Sequence, residues 1–345
     1  MNKSNLIIFS IILSTLAPGI LATLHLSFFI TLPSILLGGI IAYLTYLLVN
    51  VKWDYQGLYA YARDFHPLFS YIFLISWIIS YYLYVIYTII YIPYYVLNLD
   101  GFSAFLVSFA ISIITTGLIL TDPYYAFPVI AFSQIALVIP IGWERSIGAL
   151  QPIPYLFTNI LSSSLLIVCI TLSTFIKAEK RISWYILFSF LISSIVLLYG
   201  SFLKPSEISI YGSAMGNFGL ILAEFTMIRN LFKGLNVNGN VTKILAIFSI
   251  PLSMIGNINY STFYTTLIVP SITLLYISLF SSFISVFKYF KSFTIRIAGV
   301  IALALFLYGD YNVITTSKGY LFLESILAIV LTLIISIILY FRKKI

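Results

Sequence analysis

Charge is scarce in this chain of 345 residues: Asp, Glu, Lys and Arg together make up 8% of it. So little charge cannot coat a sizeable soluble domain, and none is expected. Cysteine occurs once, as Cys169. An intramolecular disulfide and a cysteine-based metal cluster are thereby excluded, and a buried, inert thiol is the plain reading. The two histidines, His25 and His66, stand too far apart in sequence to suggest a metal cage. Also missing are a Gly-x-Ser-x-Gly elbow, a P-loop and paired intramembrane aspartates, so the chain does not read as an enzyme and implies no cofactor. The net charge of +8 comes from basic residues scattered through short loops, and nucleic acid is not an expected partner.

Apolar residues fill the chain instead, at 61% of the sequence and a mean hydropathy of +1.09. Runs long enough to cross about 30 Å of hydrocarbon recur from end to end. They predict an all-α polytopic membrane protein with twelve spans, at about 5–29, 31–50, 67–97, 101–120, 123–142, 157–176, 182–200, 212–233, 242–258, 264–287, 293–309 and 321–341. The first run has a thin basic flank and no small-residue cleavage site, so it reads as a retained helix. With the N-terminus inside, only Arg145, Lys204 and Lys318 of the 18 basic residues fall on outer loops. The positive-inside rule then sets both termini in the cytoplasm, in a multi-pass protein of the plasma membrane.

The first run is interrupted by Ala17-Pro18-Gly19. Proline removes a helical hydrogen bond and glycine loosens the backbone. At membrane depth such a break survives only where it lines a cavity or is buried in protein, which in transporters is where substrates and ions sit. Ser162-Ser163-Ser164, within the sixth span, predicts a second discontinuity, because hydroxyls can replace lost backbone bonds. Glu224 lies deep in span eight, five residues from Arg229, and reads as a protonatable or cation-binding group. His25, in the second half of span one, is a candidate proton relay or gate. Gln134 falls near the middle of span five, and Thr226 offers a hydroxyl to a sodium ion. Asp100, Asp122, Asp310 and Glu324 read as charges at span ends or in loops. Tyr81, Tyr82, Tyr84 and Tyr87 form a dense aromatic cluster, read as packing with one face free to gate a site.

Over residues 10 to 85 the chain resembles the amino acid–polyamine–organocation transporter superfamily. Ala17-Pro18-Gly19-Ile20 stands where that family unwinds its first helix, with alanine and proline in place of glycine and serine. Leu32-Pro33 followed by Leu37-Gly38-Gly39 stands where the second helix opens. Gln56-Gly57-Leu58-Tyr59-Ala60-Tyr61-Ala62-Arg63, His66-Pro67 and Ser76-Trp77 resemble the segments around the third helix, and Lys177-Ala178-Glu179-Lys180-Arg181 partly matches the loop after the sixth. The resemblance implies two inverted five-helix repeats, 1–142 and 157–287, with two further helices at 293–341, all in one transmembrane domain. It implies alternating-access transport of an amino acid or related amine, contacted mainly by the backbone of Ala17, Pro18, Gly19 and Ile20 and by Ser162, Ser163 and Ser164. Glu224 and His25 would then serve ion coupling, with a proton or sodium ion, or exchange, driving transport. A passive channel and a non-transport membrane protein are the competing readings.

Overall fold

The computed structural model describes residues 3–139, 153–203 and 206–342, and every described element is helical. Arg145, Lys204, Lys343, Lys344 and the end of the fifth expected span lie outside the described residues. The first run forms α1 (Lys3–Thr15) and, beyond a one-turn interruption, α2 (Pro18–Thr23). α3 (Phe28–Val51), the short α4 (Gly57–Phe65) and α5 (Pro67–Tyr91) follow, and a π turn, Ile92–Val96, ends α5. Next come α6 (Gly101–Leu120), α7 (Phe127–Val138) and α8 (Ile153–Ser164), the last running directly into a 3₁₀ helix, Leu165–Phe175. The remainder is α9 (Trp184–Phe202), α10 (Ser209–Gly234), α11 (Gly239–Ile255), α12 (Tyr260–Phe283), α13 (Val286–Tyr289), α14 (Phe293–Thr316) and α15 (Tyr320–Arg342).

Among the described residues nine helical segments are long and apolar enough to cross a membrane, and two shorter apolar ones, Pro123–Val138 and Gly239–Ile255, accompany them. The chain is a helical, multi-pass membrane protein. Local chemistry sets many of the boundaries. α5 begins with Pro67 in its first turn and with His66 Nδ1 accepting the Leu68 N–H at 3.2 Å. Asn238 caps α11 and Asn259 caps α12 in the same manner. Polar side chains within the spans turn back on their own helices: Ser34, Thr45, Ser76 and Thr226 each donate to the carbonyl four residues earlier. Others, among them Ser10, Ser14, Thr88 and Ser189, are buried without a hydrogen-bond partner.

Two expectations about boundaries are corrected. Leu32-Pro33 lies inside α3, which starts at Phe28 because Ile30 and Thr31 already bond back to Ser27. Asp310 lies inside α14, whereas Glu324 stands near the start of α15 as expected; both are half-buried, and one oxygen of each is buried without a hydrogen-bond partner. Helical bonding carries α14 past the hydropathy drop at Gly309-Asp310. Asp100 and Asp122 are exposed between helices, with Asp122 accepting from the Tyr124 N–H at 3.1 Å.

The core joins α5 to the 3₁₀ helix through aromatic rings. Trp77 and Phe175 lie 4.4 Å apart and Phe73 stacks beside both. Trp53 Nε1 fastens the same region by donating to the Ser173 carbonyl at 2.9 Å. α5 packs on α12, and α10 packs on α7. α3 packs on α8 and the 3₁₀ helix, while α9 packs on α1 and α2. α5 also meets α6, α10 and α11, α10 also meets α6 and α11, and the pairs α3–α9 and α6–α11 are in contact. α14 and α15 lie outside, both against α12. Leu323, Leu327, Leu331 and Ile338 on α15 are exposed, an apolar surface suited to lipid tails.

Candidate functional site

The interruption in the first helix is a left-handed residue. Ala17 takes φ 44° and ψ 58°, and Pro18 begins a new short helix. Pro18 has no N–H to offer Ser14, whose carbonyl is bonded by Ala17 instead. The Gly19 N–H turns away to Gln134 Oε1 at 3.1 Å, and the Ile20 N–H goes to the Ala17 carbonyl at 2.8 Å. The carbonyls of Thr15 and Leu16 thereby lose their helical donors. With 13 residues in α1, they lie about 20 Å from its Lys3 end, inside hydrocarbon about 30 Å thick. Backbone acceptors freed at that depth suit a cation or an ammonium group.

Glycines seat the short helix after the break. A Cβ on Gly19 would run into the Gly212 carbonyl oxygen, and one on Gly200 would run into that of Ala22. α2 is therefore clamped between α9 and α10, backbone against backbone. A Cβ on Gly216 would lie 3.0 Å from Ile20 N and 3.1 Å from Gln134 Oε1. Gln134 is fully buried and its amide nitrogen has no hydrogen-bond partner. Gln134, Gly212 and Gly216 are site residues that the sequence reading missed or left without a role. Gly212-Ser213-Ala214-Met215-Gly216 carries the Gly-x-x-x-Gly spacing of close helix approach, which was the available signal.

Glu224 lies on α10, ten residues and about 15 Å from the Gly234 end. It is fully buried, and neither carboxylate oxygen has a hydrogen-bond partner. Arg229 turns elsewhere, with Nη1 on the Ile119 carbonyl at 3.3 Å. The side chains within electrostatic reach of Glu224 are Tyr81, Tyr84 and Tyr87 of α5 and Cys169 of the 3₁₀ helix. Tyr84 and Tyr87 rings are 5.0 Å apart, and Tyr264 of α12 closes on Tyr87 at 5.4 Å. Tyr81's hydroxyl lies beside Thr171 and Cys169 without a well-formed hydrogen bond. A bare carboxylate in such surroundings is held only with a compensating positive charge: a proton, a metal ion or an ammonium group.

The other expected residues are placed differently. Ser162, Ser163 and Ser164 are the last turn of regular α-helix, and the discontinuity comes just after them, as the change to 3₁₀ winding. The Ser164 hydroxyl is occupied by the Leu161 carbonyl at 2.6 Å. This turn packs toward Gly38 of α3, whereas Ala17, Pro18, Gly19 and Ile20 face α7 and α10. His25 is exposed in the linker after α2, with φ 49°. It lies outside any helix because α2 ends at Thr23. Thr226 spends its hydroxyl on the Leu222 carbonyl at 2.6 Å. Among the described residues no three His, Cys, Asp or Glu side chains gather to hold a metal ion.

Two cavities open at the end of the bundle that carries Lys3 and Lys233. One, of about 390 Å³, climbs α1 along Lys3, Ile7, Ile8 and Ile11 and stops a turn short of Thr15. The other, of about 470 Å³, lies between α6, α10 and α11. Neither is lined by Glu224 or by the break. Compared with known proteins, the chain matches no family model and no curated protein.

Proposed function

We propose that the chain is a secondary active transporter that carries amino acids or related organic amines across the cytoplasmic membrane by alternating access. The observation that carries this reading is the interrupted first helix, whose Thr15 and Leu16 carbonyls lack their helical donors deep within the bundle. A scaffold or a simple anchor has no use for such a break. The cavity that rises along α1 to Ile11 is a vestibule for it from one side. Glu224 is the coupling group, exchanging a proton or a sodium ion as the site opens and closes.

The packing supports a 5+5 inverted repeat within twelve spans, and with it kinship to the amino acid–polyamine–organocation superfamily. Exchange α1–α2 with α8 and its 3₁₀ extension, α3 with α9, α5 with α10, α6 with α11, and α7 with α12. The pair α5–α12 then becomes α10–α7, α5–α11 becomes α10–α6, and α3–α8 becomes α9–α1, each of which is present. The exceptions are α7 and α10 on α1 and α2, neither of which has a counterpart of similar extent. Such exchange symmetry is the framework that lets one repeat rock against the other around a fixed site.

Uptake into proteoliposomes, run with a panel of labelled amino acids and amines under imposed proton and sodium gradients, tests the proposal. Saturable, gradient-driven accumulation with counterflow is expected; its absence across the panel refutes transport. Glu224→Gln, which keeps shape and removes charge, should abolish gradient-driven accumulation and leave counterflow. Normal accumulation in that variant would remove Glu224 from coupling.

A further inference from the structure

The second cavity carries chemistry that the transport reading does not use. Its walls are Ile119 of α6, Arg229, Phe232 and Lys233 of α10, and Thr242 and Lys243 of α11. Three cations share one space of about 470 Å³, and no Asp or Glu lines it. Ion pairs among the described residues involve Lys52, Arg63 and Arg181, and none involves these three. Arg229 has a single bond, to the Ile119 carbonyl, and Lys233 rests over the Tyr55 ring at 4.7 Å, so most of their N–H donors remain free. Three like charges held together raise one another's energy, and an anion relieves all of them at once.

We propose that this cavity is a binding site for the phosphate headgroup of an anionic phospholipid. A phosphate ester matches three cations lining one cavity, and the apolar surroundings select the lipid form of it. Leu120 lines the cavity and is 40% exposed, and Ile244, beside Lys243 on α11, is 53% exposed. They continue the cavity rim into the apolar outer surface of α6 and α11, where acyl chains lie alongside. A phosphate bound here ties the end of α10 to α6 and α11. Because α10 also carries Glu224 and the glycine seat for α2, the lipid braces the helix on which the candidate site is built.

The test uses the full chain, delipidated in detergent, titrated with phosphatidylglycerol and followed by native mass spectrometry and by apparent melting temperature. The variant is Lys233→Gln/Lys243→Gln, in which both altered side chains are exposed; the control is Lys177→Gln/Lys291→Gln. Phosphatidylglycerol should bind and raise the melting temperature of the wild type and of the control. Its affinity should fall roughly 25-fold in the variant, about fivefold for each lysine. Without lipid the variant, relieved of the repulsion between like charges, should melt at or slightly above the wild type. Equal binding of phosphatidylcholine, an unchanged affinity in the variant, or an equal shift given by glycerol phosphate alone would each overturn the assignment. These readouts do not depend on transport, so they succeed or fail apart from the proposed function.

Discussion

Gly19→Ala adds a single methyl group, yet it should unseat the short helix that follows the break. Its Cβ would lie 2.8 Å from the Gly212 carbonyl carbon and 3.0 Å from Gln134 Cβ. Carbon atoms settle at about 3.5–4.0 Å, so α2 must retreat by roughly 1 Å. The Gly19 N–H to Gln134 Oε1 bond, 3.1 Å long, then passes beyond hydrogen-bond range. Overpacking of this kind costs about 1–3 kcal/mol, and a buried N–H left without an acceptor costs about 1–3 kcal/mol more. The combined loss, about 2–6 kcal/mol, should lower the apparent melting temperature in detergent by roughly 3–8 °C. Gly117→Ala is the matched control, because a Cβ on Gly117, in the last turn of α6, has nothing within 4 Å. That change should be neutral or stabilising by up to about 1 kcal/mol. If Gly19→Ala melts with Gly117→Ala, the close approach of α2 to α10 is wrong, and the described site with it. Larger residues at Gly19 cannot report on transport alone, since they disturb the same packing.

Two further outcomes follow from the same geometry. Gln134→Leu should cost about 1–3 kcal/mol by stranding the Gly19 N–H, and the double variant with Gly19→Ala should cost less than the sum, because both remove one bond; strict additivity in thermal unfolding would separate the two residues. Cys169, the single thiol, stands within reach of Glu224 on the 3₁₀ helix. Its labelling by a membrane-permeant maleimide should change severalfold when a transported amine is added, and an unchanged rate would place the substrate path elsewhere.

Sequence revealed the features whose cause is local. Pro18 lacks an N–H wherever it is placed, so the break at Ala17-Pro18-Gly19 was visible without knowing any neighbour. A carboxylate in the middle of an apolar run is costly in any fold, which made Glu224 conspicuous. Features set by distant partners were not visible. Gln134 and Gly19 are 115 residues apart, and nothing in Ala131-Phe132-Ser133-Gln134 announces a backbone N–H to be met. The serine triplet marks where the winding changes without revealing its form. A hydroxyl able to rescue a broken helix equally well bonds back within an intact one, as Ser164 does to Leu161. The 3₁₀ winding begins at Leu165, directly after Ser164, in an apolar stretch whose residues suit either helix type. The placement of His25 within span one differs because apolar content continues beyond Thr23, where the chain leaves the helix.

The 3₁₀ helix gives the bundle an adjustable dimension. Runs of this winding longer than three or four residues are uncommon, and this one has 11. At about 2.0 Å per residue it spans about 22 Å, against about 16 Å had the same residues wound as α-helix. Rewinding would therefore draw its two ends together by about one α-helical turn while rotating one end against the other. Phe175 is locked at one end by Trp77, and α8 is held at the other by α3. With its ends attached in this way, such a change of pitch at constant sequence would shift α8 and α3 along the bundle axis relative to Trp77 and α5.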